Sequence, residues 1–440
     1  MTTGTTHQSE LDALPAERVV VVGVGYVGLP LAVALAVAGL DVLGFDLNSR
    51  RVSQLKAGQD ATGSCNEVDL ASSGLSFSDK PADMKGHTCY IVTVPTPLTP
   101  NDEPDLSNLV AACTSNGQVI VSGALVIVES TVYPGATREV CRTVIEDESG
   151  LTCGEEFGLA YSPERINPGD SEHTLSTVVK LVAGYDAESS ARAIHLYRRI
   201  VSVGVVEALS LEVAELAKIV ENSQRDLNIA FSNEISRICV QLDLDTMTVL
   251  EACATKWNFQ AFRPGLVGGH CIPVDSHYLI HRSQVKGYFP QLLAGVRETN
   301  AGMPGFLAQR LVRKLDSQGI PPSEASVALL GATFKADVPD TRNSGAVSVL
   351  EQLIAFGVDP VICDPLLSLE ELSSMFGRRA VSVEELEDLD MIVVLVDHHS
   401  YKEDIPSVLR TALRPGGVFA DFANLRQLKD MPADLSYMRL

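Results

Sequence analysis

Residues Val19 to Leu40 carry no charged side chain, and the stretch opens on four consecutive valines. A segment of that length and hydropathy could cross a membrane as a helix. The turn Gly23-Val24-Gly25-Tyr26-Val27-Gly28 and then Pro30 interrupt it directly after the valines, and a helical pattern follows. A buried parallel strand, a tight turn and a helix explain the stretch better, and such a βα unit is typical of a doubly wound domain.

Strand and helix patterns alternate along most of the chain. In the first half, strand patterns occur at Arg18–Val22, Val42–Phe45, Thr88–Val94, Ala124–Glu129 and Leu159–Ser162. After the break at Gly319-Ile320-Pro321-Pro322 they occur at Ser326–Leu330, Val358–Cys363, Met391–Val396 and Gly417–Phe422, with a helix from Ser344. Residues 209–242 form one helical pattern without proline or glycine.

This order predicts an α/β protein with two Rossmann-like doubly wound domains, joined by a helical central domain with a long connecting helix. We expect a dinucleotide-binding domain at 1–207, a central helical domain at 208–320 whose long helix serves as a connector and an interface, and a C-terminal α/β domain at 321–440.

The composition limits the partners. The chain has 34 basic and 56 acidic side chains among 440 residues, which argues against nucleic acid and anionic membranes. The nine cysteines are odd in number and none forms a CxxC pair, so we expect reduced thiols. The first 17 residues lack the basic segment of a secretory signal, and we expect a cytoplasmic protein.

The glycine turn at 23–28 matches the dinucleotide pattern GxGxxG, and its position between a strand and a helix strengthens the match. Asp46 follows the second strand pattern, 18 residues after Gly28. A carboxylate at this position accepts the ribose hydroxyls and repels a 2′-phosphate, so we predict NAD rather than NADP. Arg51 lies nearby and weakens that preference slightly.

Cys271 lies in the segment Gly268-Gly269-His270-Cys271-Ile272-Pro273-Val274-Asp275. The glycines allow close approach of a substrate, and Asp275 is near enough in sequence to support a base, so a nucleophilic thiol is one interpretation. A buried structural thiol is equally compatible with the residues alone. A metal site is a third alternative, with candidate ligands His270, Cys271, His277 and His281. Their spacing does not match a Cys/His zinc module, and we expect no metal.

Taken together, the motifs resemble the UDP-glucose/GDP-mannose dehydrogenase family, from about Arg18 to Asn424. The motifs that carry the resemblance are GVGYVG at 23–28, VPTP at 94–97, STVYPGAT at 130–137, SPERINPGD at 162–170, ELAKIVENSQRDLNIAFSNE at 215–234, FRPGLVGGHCIPVD at 262–275 and GATFKADVPDTRNS at 331–344. The resemblance implies an NAD-dependent, four-electron oxidation of a nucleotide sugar at C6 and a homodimer or higher homo-oligomer. It also implies that the central domain at 208–320 carries the dimer contacts and the catalytic cysteine, and that the C-terminal domain at 321–440 binds the UDP-sugar.

The resemblance also implies roles for individual residues. Cys271 would capture the aldehyde, Lys218 and Asn222 would stabilise charge on the C6 oxygen, and Glu164, Thr131 and Asp275 would serve the thioester hydrolysis. The residues implied for NAD are Gly23, Gly25, Tyr26, Val27, Gly28, Asp46, Arg51, Thr96, Thr131 and Arg342. Those implied for the UDP-sugar are Glu164, Arg165, Ile166, Asn167, Lys218, Asn222, Phe262, Arg263, Pro264, Gly268 and Lys335.

The sequence departs at Val274 from the branch of the family that acts on UDP-glucose, because that branch carries a lysine at this position. The segment 256–275 instead resembles the branch acting on UDP-N-acetylglucosamine and UDP-N-acetylgalactosamine. Ala136, where the family usually has threonine, is a smaller departure. UDP-N-acetylmannosamine and UDP-glucose remain alternative substrates. A two-electron hydroxyacid dehydrogenase and a non-enzymatic NAD-sensing protein are the alternatives from other classes, and the pathway, surface polysaccharide or secreted metabolite, stays open.

Overall fold

The computed structural model describes residues 17–65, 67–166, 172–425 and 435–440. These residues belong to two compact units. The first consists of the chain up to residue 221 together with 277–288, and the second of 222–276 together with 289–440. The two boundaries between the three domains that the sequence suggests, near 207 and 320, stay a prediction.

The first unit contains an eight-stranded sheet in the order β3-β2-β1-β4-β5-β6-β7-β8. Its strands are β1 (Arg18–Val22), β2 (Asp41–Phe45), β3 (Ser76–Ser78), β4 (Cys89–Val92), β5 (Leu125–Val128), β6 (Gly158–Tyr161), β7 (Lys180–Gly184) and β8 (Val205–Glu207). The pairs are parallel except β6 with β7, which is antiparallel. The helices of this unit are α1 (Gly28–Val37), α2 (Ser49–Lys56), α3 (Glu67–Ser72), α4 (Ser107–Gly117), α5 (Arg142–Ser149) and α6 (Ala187–Tyr197), and a π-helical turn, Thr137–Cys141, precedes α5.

The valines of β1 show why this sheet forms. Val19 and Val21 pack into one apolar layer, whereas Val20 and Val22 pack into the layer on the opposite face. All four are buried. A strand covered on both faces needs apolar residues at every position, which explains the uncharged run in the sequence. The membrane-span interpretation is therefore unnecessary, and none of the helices within the described ranges combines the length and hydropathy that a membrane crossing requires.

The predicted helix at 209–242 is confirmed as α7 (Leu211–Gln241), which has 31 residues. The boundary between the two units falls within it, after Glu221. The absence of proline and glycine lets the hydrogen-bond ladder run uninterrupted, which is why the pattern was readable in the sequence.

The second unit contains a five-stranded parallel sheet in the order β10-β9-β11-β12-β13. Its strands are β9 (Val327–Leu330), β10 (Val361–Cys363), β11 (Leu389–Val394), β12 (Leu413–Asp421) and β13 (Ser436–Arg439). The remaining helices are α8 (Thr246–Ala254), α9 (Ile272–Val285), α10 (Gln291–Ala301), α11 (Met303–Ser317), α12 (Gly345–Ala355), α13 (Leu369–Phe376) and α14 (Tyr401–Thr411). Successive residues of β9 pack into opposite apolar layers, as in β1.

The predicted α/β fold with two Rossmann-like sheets and a helical middle is confirmed. Each predicted strand exists, with ends that differ by a few residues. The prediction missed β3, β7, β8 and β13, and it did not include an antiparallel pair. The reason is clearest for β7, which begins with Lys180, a buried lysine whose charge breaks the apolar pattern.

Gly28 and Gly25 provide a matched test of the turn. A methyl group on Gly28 would overlap the carbonyl oxygen of Gly23 and the hydroxyl of Thr93, whereas one on Gly25 would meet no atom within 4 Å. We expect Gly28→Ala to lower the free energy of unfolding by about 1–3 kcal/mol, because the backbone must move. Gly25→Ala should leave stability nearly unchanged. Equal urea midpoints for the two variants would contradict this packing.

Candidate active site

The glycine turn between β1 and α1 forms an open cradle. Gly23 has a φ of 94°, its N–H donates to the carbonyl of Phe45 (2.7 Å), and the space beside Gly25 is empty. Tyr26 and Val27 are half-buried at the same turn. The Asp46 carboxylate accepts hydrogen bonds from the backbone N–H groups of Val24 (3.1 Å) and Asn48 (2.9 Å). A backbone cradle at a helix start with a carboxylate after the second strand fits a dinucleotide with free ribose hydroxyls.

Arg51 is fixed beneath this turn. Its guanidinium donates to the carbonyl of Val24 (3.0 Å) and forms an ion pair with Asp60 (2.7 Å), and both side chains are buried. Burial would raise the pKa of Asp60, but hydrogen bonds from Thr62, Arg51 and Cys65 lower it to about 2. The Arg51 charge is thus neutralised by Asp60. The role of Asp46 in the preference for NAD stays a prediction. Direct contact of Arg51 with the cofactor stays a prediction.

The carboxyl ends of β4, β5 and β6 bring three predicted residues to one edge of the first sheet. Thr96 follows β4, Thr131 follows β5 and Glu164 follows β6. The Thr96 hydroxyl donates to the carbonyl of Thr131 (2.8 Å), and the Tyr278 hydroxyl donates to the carbonyl of Thr96 (2.9 Å). The sequence did not point to Tyr278, because a tyrosine in a helical pattern is usually a core residue.

Both carboxylate oxygens of Glu164 have partners. Oε1 accepts from the backbone N–H groups of Arg165 (2.6 Å) and Ile166 (2.7 Å), and Oε2 lies 3.2 Å from the ammonium of Lys180. The Arg165 guanidinium turns away and forms an ion pair with Glu221 (2.6 Å). Asn167, which the sequence also placed in the substrate site, lies outside the described residues.

Lys180 joins Glu164 to a second carboxylate. Its ammonium lies 3.0 Å from Glu129 Oε2, and the Tyr197 hydroxyl donates to the other oxygen of Glu129. Burial would lower the pKa of Lys180, but the charges of Glu129 and Glu164 raise it, so the ammonium stays charged. Burial and the Glu129 charge raise the pKa of Tyr197 well above its usual value. These three residues were not predicted from the sequence. The one feature that could have indicated them is a charged residue at the end of an apolar strand.

Lys218 and Asn222 lie one turn apart on α7 and are buried, with exposed fractions of 7% and 8%. Neither side chain therefore lies on a solvent-exposed face of the helix. The Asn222 side-chain amide donates to the carboxylate of Asp275 (2.6 Å), which is 1% exposed. Asp275 thus fixes the orientation of the Asn222 amide and leaves its oxygen on the side away from Asp275.

Cys271 immediately precedes α9, and its carbonyl accepts the N–H groups of Val274 (3.2 Å) and Asp275 (2.8 Å) at the first turn. Cys271 is partly exposed, whereas Cys239 is buried. The amino end of a helix carries partial positive charge and favours a thiolate, so this position suits a nucleophile. Within the described ranges, no three His, Cys, Asp or Glu side chains are grouped as metal ligands would be.

A buried amide relay holds the loop before Cys271. The Asn233 side chain donates to the carbonyl of Gly265 (3.0 Å) and accepts its N–H (2.8 Å). Asn233 also donates to Asn300 (2.8 Å), which in turn donates to the carboxylate of Asp226 (2.7 Å). Because Asp226 only accepts, it sets the direction of every bond back to Gly265. In the same loop Phe262 is half-buried, Arg263 exposed and Pro264 buried.

The loop carrying Lys335 contacts the cysteine loop within the second unit. A Cβ on Gly268 would lie 2.6 Å from the carbonyl oxygen of Asn343, and one on Gly269 would lie 2.8 Å from the Phe334 ring. The Asn343 amide donates to the carbonyl of Gly269 (3.2 Å). The absence of side chains at Gly268 and Gly269 therefore allows the two loops to pack against each other. Lys335, which follows Phe334, lies in the loop that packs against the loop of Cys271.

His398 and Asp364 fix the backbone on both sides of Lys335. His398 Nδ1 accepts the N–H of Asp337 (3.1 Å), so its Nε2 carries the proton and lies 3.1 Å from Asp364. The same carboxylate accepts the N–H groups of Ala332 (2.7 Å) and Thr333 (3.2 Å). Burial would raise the pKa of Asp364, but the bond from His398 and backbone N–H groups lower it. Neither residue was found from the sequence, because each lies in an unrelated segment.

Arg342 pairs with Asp340 (2.7 Å) and is 58% exposed. His270 lies 4.0 Å from the same carboxylate, and burial together with the Arg342 charge lowers the pKa of its imidazole. His270 is therefore neutral near pH 7. The role expected for Arg342 at the cofactor stays a prediction.

Three regions of the chain match the three domains of the UDP-glucose/GDP-mannose dehydrogenase family. Residues 17–201 match its NAD binding domain, 212–302 its central domain and 328–427 its UDP binding domain. The chain belongs to this family. It is an NAD-dependent nucleotide-sugar 6-dehydrogenase that acts on a UDP-sugar, as the resemblance implied.

The chain is also similar to individual proteins along most of its length. The chain is 43% identical to UDP-N-acetyl-D-glucosamine 6-dehydrogenase of Pseudomonas aeruginosa, over 88% of this chain and 91% of the relative. It is 40% identical to protein CapL of Staphylococcus aureus, over 91% and 95% of the two chains. The solved structure of UDP-D-ManNAc dehydrogenase from Pyrococcus horikoshii matches with a TM-score of 0.86 and 31% identity, covering 96% of this chain and 98% of that one.

Proposed function

We propose that the protein oxidises the C6 hydroxyl of a UDP-N-acetylhexosamine, UDP-N-acetylglucosamine or UDP-N-acetylgalactosamine, to the carboxylate through a thioester on Cys271. The observation that carries the proposal is the partly exposed Cys271 at the amino end of α9, in a loop that Asn233 holds by both backbone groups of Gly265. A two-electron hydroxyacid dehydrogenase has no use for such a thiol.

The identities of the relatives support the sugar. Two proteins named UDP-N-acetyl-D-glucosamine 6-dehydrogenase are 43% and 41% identical to this chain. A relative named UDP-N-acetyl-D-mannosamine dehydrogenase is 34% identical over a similar length. Val274, where the UDP-glucose branch has lysine, is buried and supports the same choice. UDP-N-acetylmannosamine is the second candidate, since the Pyrococcus horikoshii enzyme named for it shares the fold closely.

The overall reaction is R–CH2OH + 2 NAD⁺ + H2O → R–COO⁻ + 2 NADH + 3 H⁺. The turn 23–28 would hold NAD, which when bound would supply the hydride acceptor for both oxidations at C6. Between them the Cys271 thiolate adds to the aldehyde carbon, and after the second the same sulfur holds the acyl group as a thioester. Water then attacks the acyl carbon, the C–S bond breaks, and the thiol is released for another turnover.

Lys218 and Asn222 are the residues we assign to the C6 oxygen. Negative charge develops on that oxygen when a proton leaves the alcohol and when the thiolate adds to the aldehyde. A buried ammonium and a buried amide stabilise such charge strongly, because no water competes with them. Asp275 supports this arrangement by orienting the Asn222 amide.

Glu164 is the residue we assign as base for the hydrolysis of the thioester. Its carboxylate takes the proton of the attacking water. Thr131 lies at the same edge of the sheet, after β5, and we assign it to positioning that water beside the nicotinamide.

The remaining predicted contacts complete the proposal. For the UDP-sugar we assign the segments 164–167 and 262–264 together with Gly268 and Lys335. For NAD we assign the turn 23–28 and the side chains Asp46, Arg51, Thr96, Thr131 and Arg342.

Replacing Cys271 tests the covalent step. Cys271→Ala should abolish formation of the uronic acid, because no other group can hold the acyl intermediate, while NAD and the UDP-sugar still bind. Calorimetry checks binding and chromatography checks the product. Cys253→Ala is the matched control, since Cys253 is an exposed cysteine on α8. Full turnover by Cys271→Ala would rule out the thioester.

A panel of substrates tests the sugar. A pocket built for a 2-acetamido group offers room for its methyl and a partner for its amide, and UDP-glucose leaves that partner unpaired. We expect kcat/KM for UDP-N-acetylglucosamine or UDP-N-acetylgalactosamine to exceed that for UDP-N-acetylmannosamine and UDP-glucose by at least about tenfold, or about 1.4 kcal/mol. A preference for UDP-glucose would overturn the substrate and leave the reaction class standing.

A homodimer, or an oligomer built from it, is our proposal for the assembly. Five apolar side chains on α7 are each 37–55% exposed, and their spacing places them on one face of the helix: Val213, Leu216, Val220, Phe231 and Ile238. Exposed apolar side chains along one face are typical of a helix that packs against a partner. A monomer mass in analytical ultracentrifugation would contradict this proposal.

We place the enzyme in the cytoplasm, because its chemistry requires NAD and a reduced Cys271. The nine cysteines of the described residues are all free thiols. Recovery of the activity in a secreted fraction of the native cells would contradict this placement.

A further inference from the structure

Glu164 belongs to a cluster in which two carboxylates share one ammonium. Lys180 Nζ lies 3.0 Å from Glu129 and 3.2 Å from Glu164. The exposed fractions of the Lys180, Glu129 and Glu164 side chains are 5%, 0% and 15%. Burial raises the pKa of the Glu129 carboxyl, whereas the Lys180 ammonium and the bond from Tyr197 act against that rise. With both carboxylates ionised the three charges sum to one negative charge, so the cluster has one ammonium fewer than its carboxylates require.

Other ionisable groups border the cluster without changing that sum. The Tyr197 hydroxyl on α6 donates to Glu129 and stays protonated. Burial raises the pKa of the Cys89 thiol on β4, next to Tyr197, well above its usual value, so it is neutral too. The Arg165 charge is paired with Glu221 on α7.

We infer that Lys180, held by Glu129 and Tyr197, is a positioning residue that orients the Glu164 carboxylate and places an ammonium against it for the hydrolytic step. The inference rests on the proposed role of Glu164 as base. It assigns a purpose to three residues that the family motifs do not contain.

The geometry supports the orienting role. Two backbone N–H groups hold Oε1 of Glu164, and Lys180 is the side chain that holds Oε2. Lys180 is itself fixed, because Glu129 binds its ammonium and the Tyr197 ring lies 5.0 Å from Nζ. Truncating Lys180 therefore releases one oxygen of the base, whereas the backbone contacts to the other oxygen remain.

The charges support the second role. A base must begin as the anion, and a neighbouring ammonium favours the anion whereas a neighbouring carboxylate opposes it. When Glu164 takes the proton of water, the cluster becomes neutral. Lys180 and Glu129 therefore act on Glu164 with opposite sign, and substitutions at the two positions should have opposite effects.

The test measures decay of the acyl-enzyme in single turnovers across a range of pH. Enzyme in excess over UDP-N-acetylglucosamine, with saturating NAD, is quenched in acid, and the intact mass reports the adduct. We expect Lys180→Met to move the acid-side midpoint of the decay rate upward by about one pH unit or more, because the ammonium that favours a carboxylate anion beside it is gone. Glu129→Gln should move the midpoint downward, because the opposing charge is gone.

Three controls make the result specific. Lys402→Met removes a lysine that is 53% exposed, and it should leave the midpoint unchanged. Tyr197→Phe keeps all charges, so it should slow decay without moving the midpoint as far as Lys180→Met does. KM for the UDP-sugar should stay within about twofold in Lys180→Met and Glu129→Gln, because neither residue is assigned to the substrate.

Slower decay with an unchanged midpoint in both charge variants would overturn the inference and leave the cluster a structural element. If Lys180→Met fails to fold, Glu129→Gln still carries the test, because it keeps the shape of the side chain.

Glu164→Gln separates this inference from the proposed function. An adduct that decays normally in Glu164→Gln refutes the role of Glu164 itself, whereas an arrested adduct together with unshifted charge variants refutes only the role of Lys180.

Discussion

The parallel direction of β1, β4, β5 and β6 is the constraint on which the first unit depends. Because these strands run the same way, the chain leaves each of them at one edge of the sheet. The glycine turn, Thr96, Thr131 and Glu164 are the residues that follow them. The residues that we assign to the cofactor and to the base, from four distant segments, therefore share one edge, held by a core that is apolar on both faces.

Buried polar side chains, held by ion pairs and hydrogen bonds, keep these residues in one geometry. In the first unit, Lys180 neutralises Glu129 and fixes Glu164 inside the sheet edge. In the second unit, Asp226 sets the direction of the amide relay that ends on Gly265, before the cysteine. Each group is satisfied, which is the condition under which buried polar networks fix one geometry.

Much of the fold could be predicted from the sequence, because the valine runs, the glycine turn and the uninterrupted helix each have one simple physical explanation. The motifs also indicated Cys271, Lys218 and Asn222. Lys180, Glu129, Asn233 and His398 could not be predicted. Their partners are distant in the chain, and a single charge in an apolar strand does not reveal which opposite charge the fold will bring to it.

The number of NADH molecules formed per UDP-sugar consumed is the most direct test of the proposed four-electron oxidation. Purified enzyme with limiting UDP-N-acetylglucosamine and excess NAD is followed by absorbance to completion, and the sugar product is quantified by chromatography. We expect two NADH and one uronic acid for each UDP-sugar consumed. A ratio of one, with an aldehyde or ketone as the product, would contradict it, because Cys271 and Glu164 would then have no step to perform.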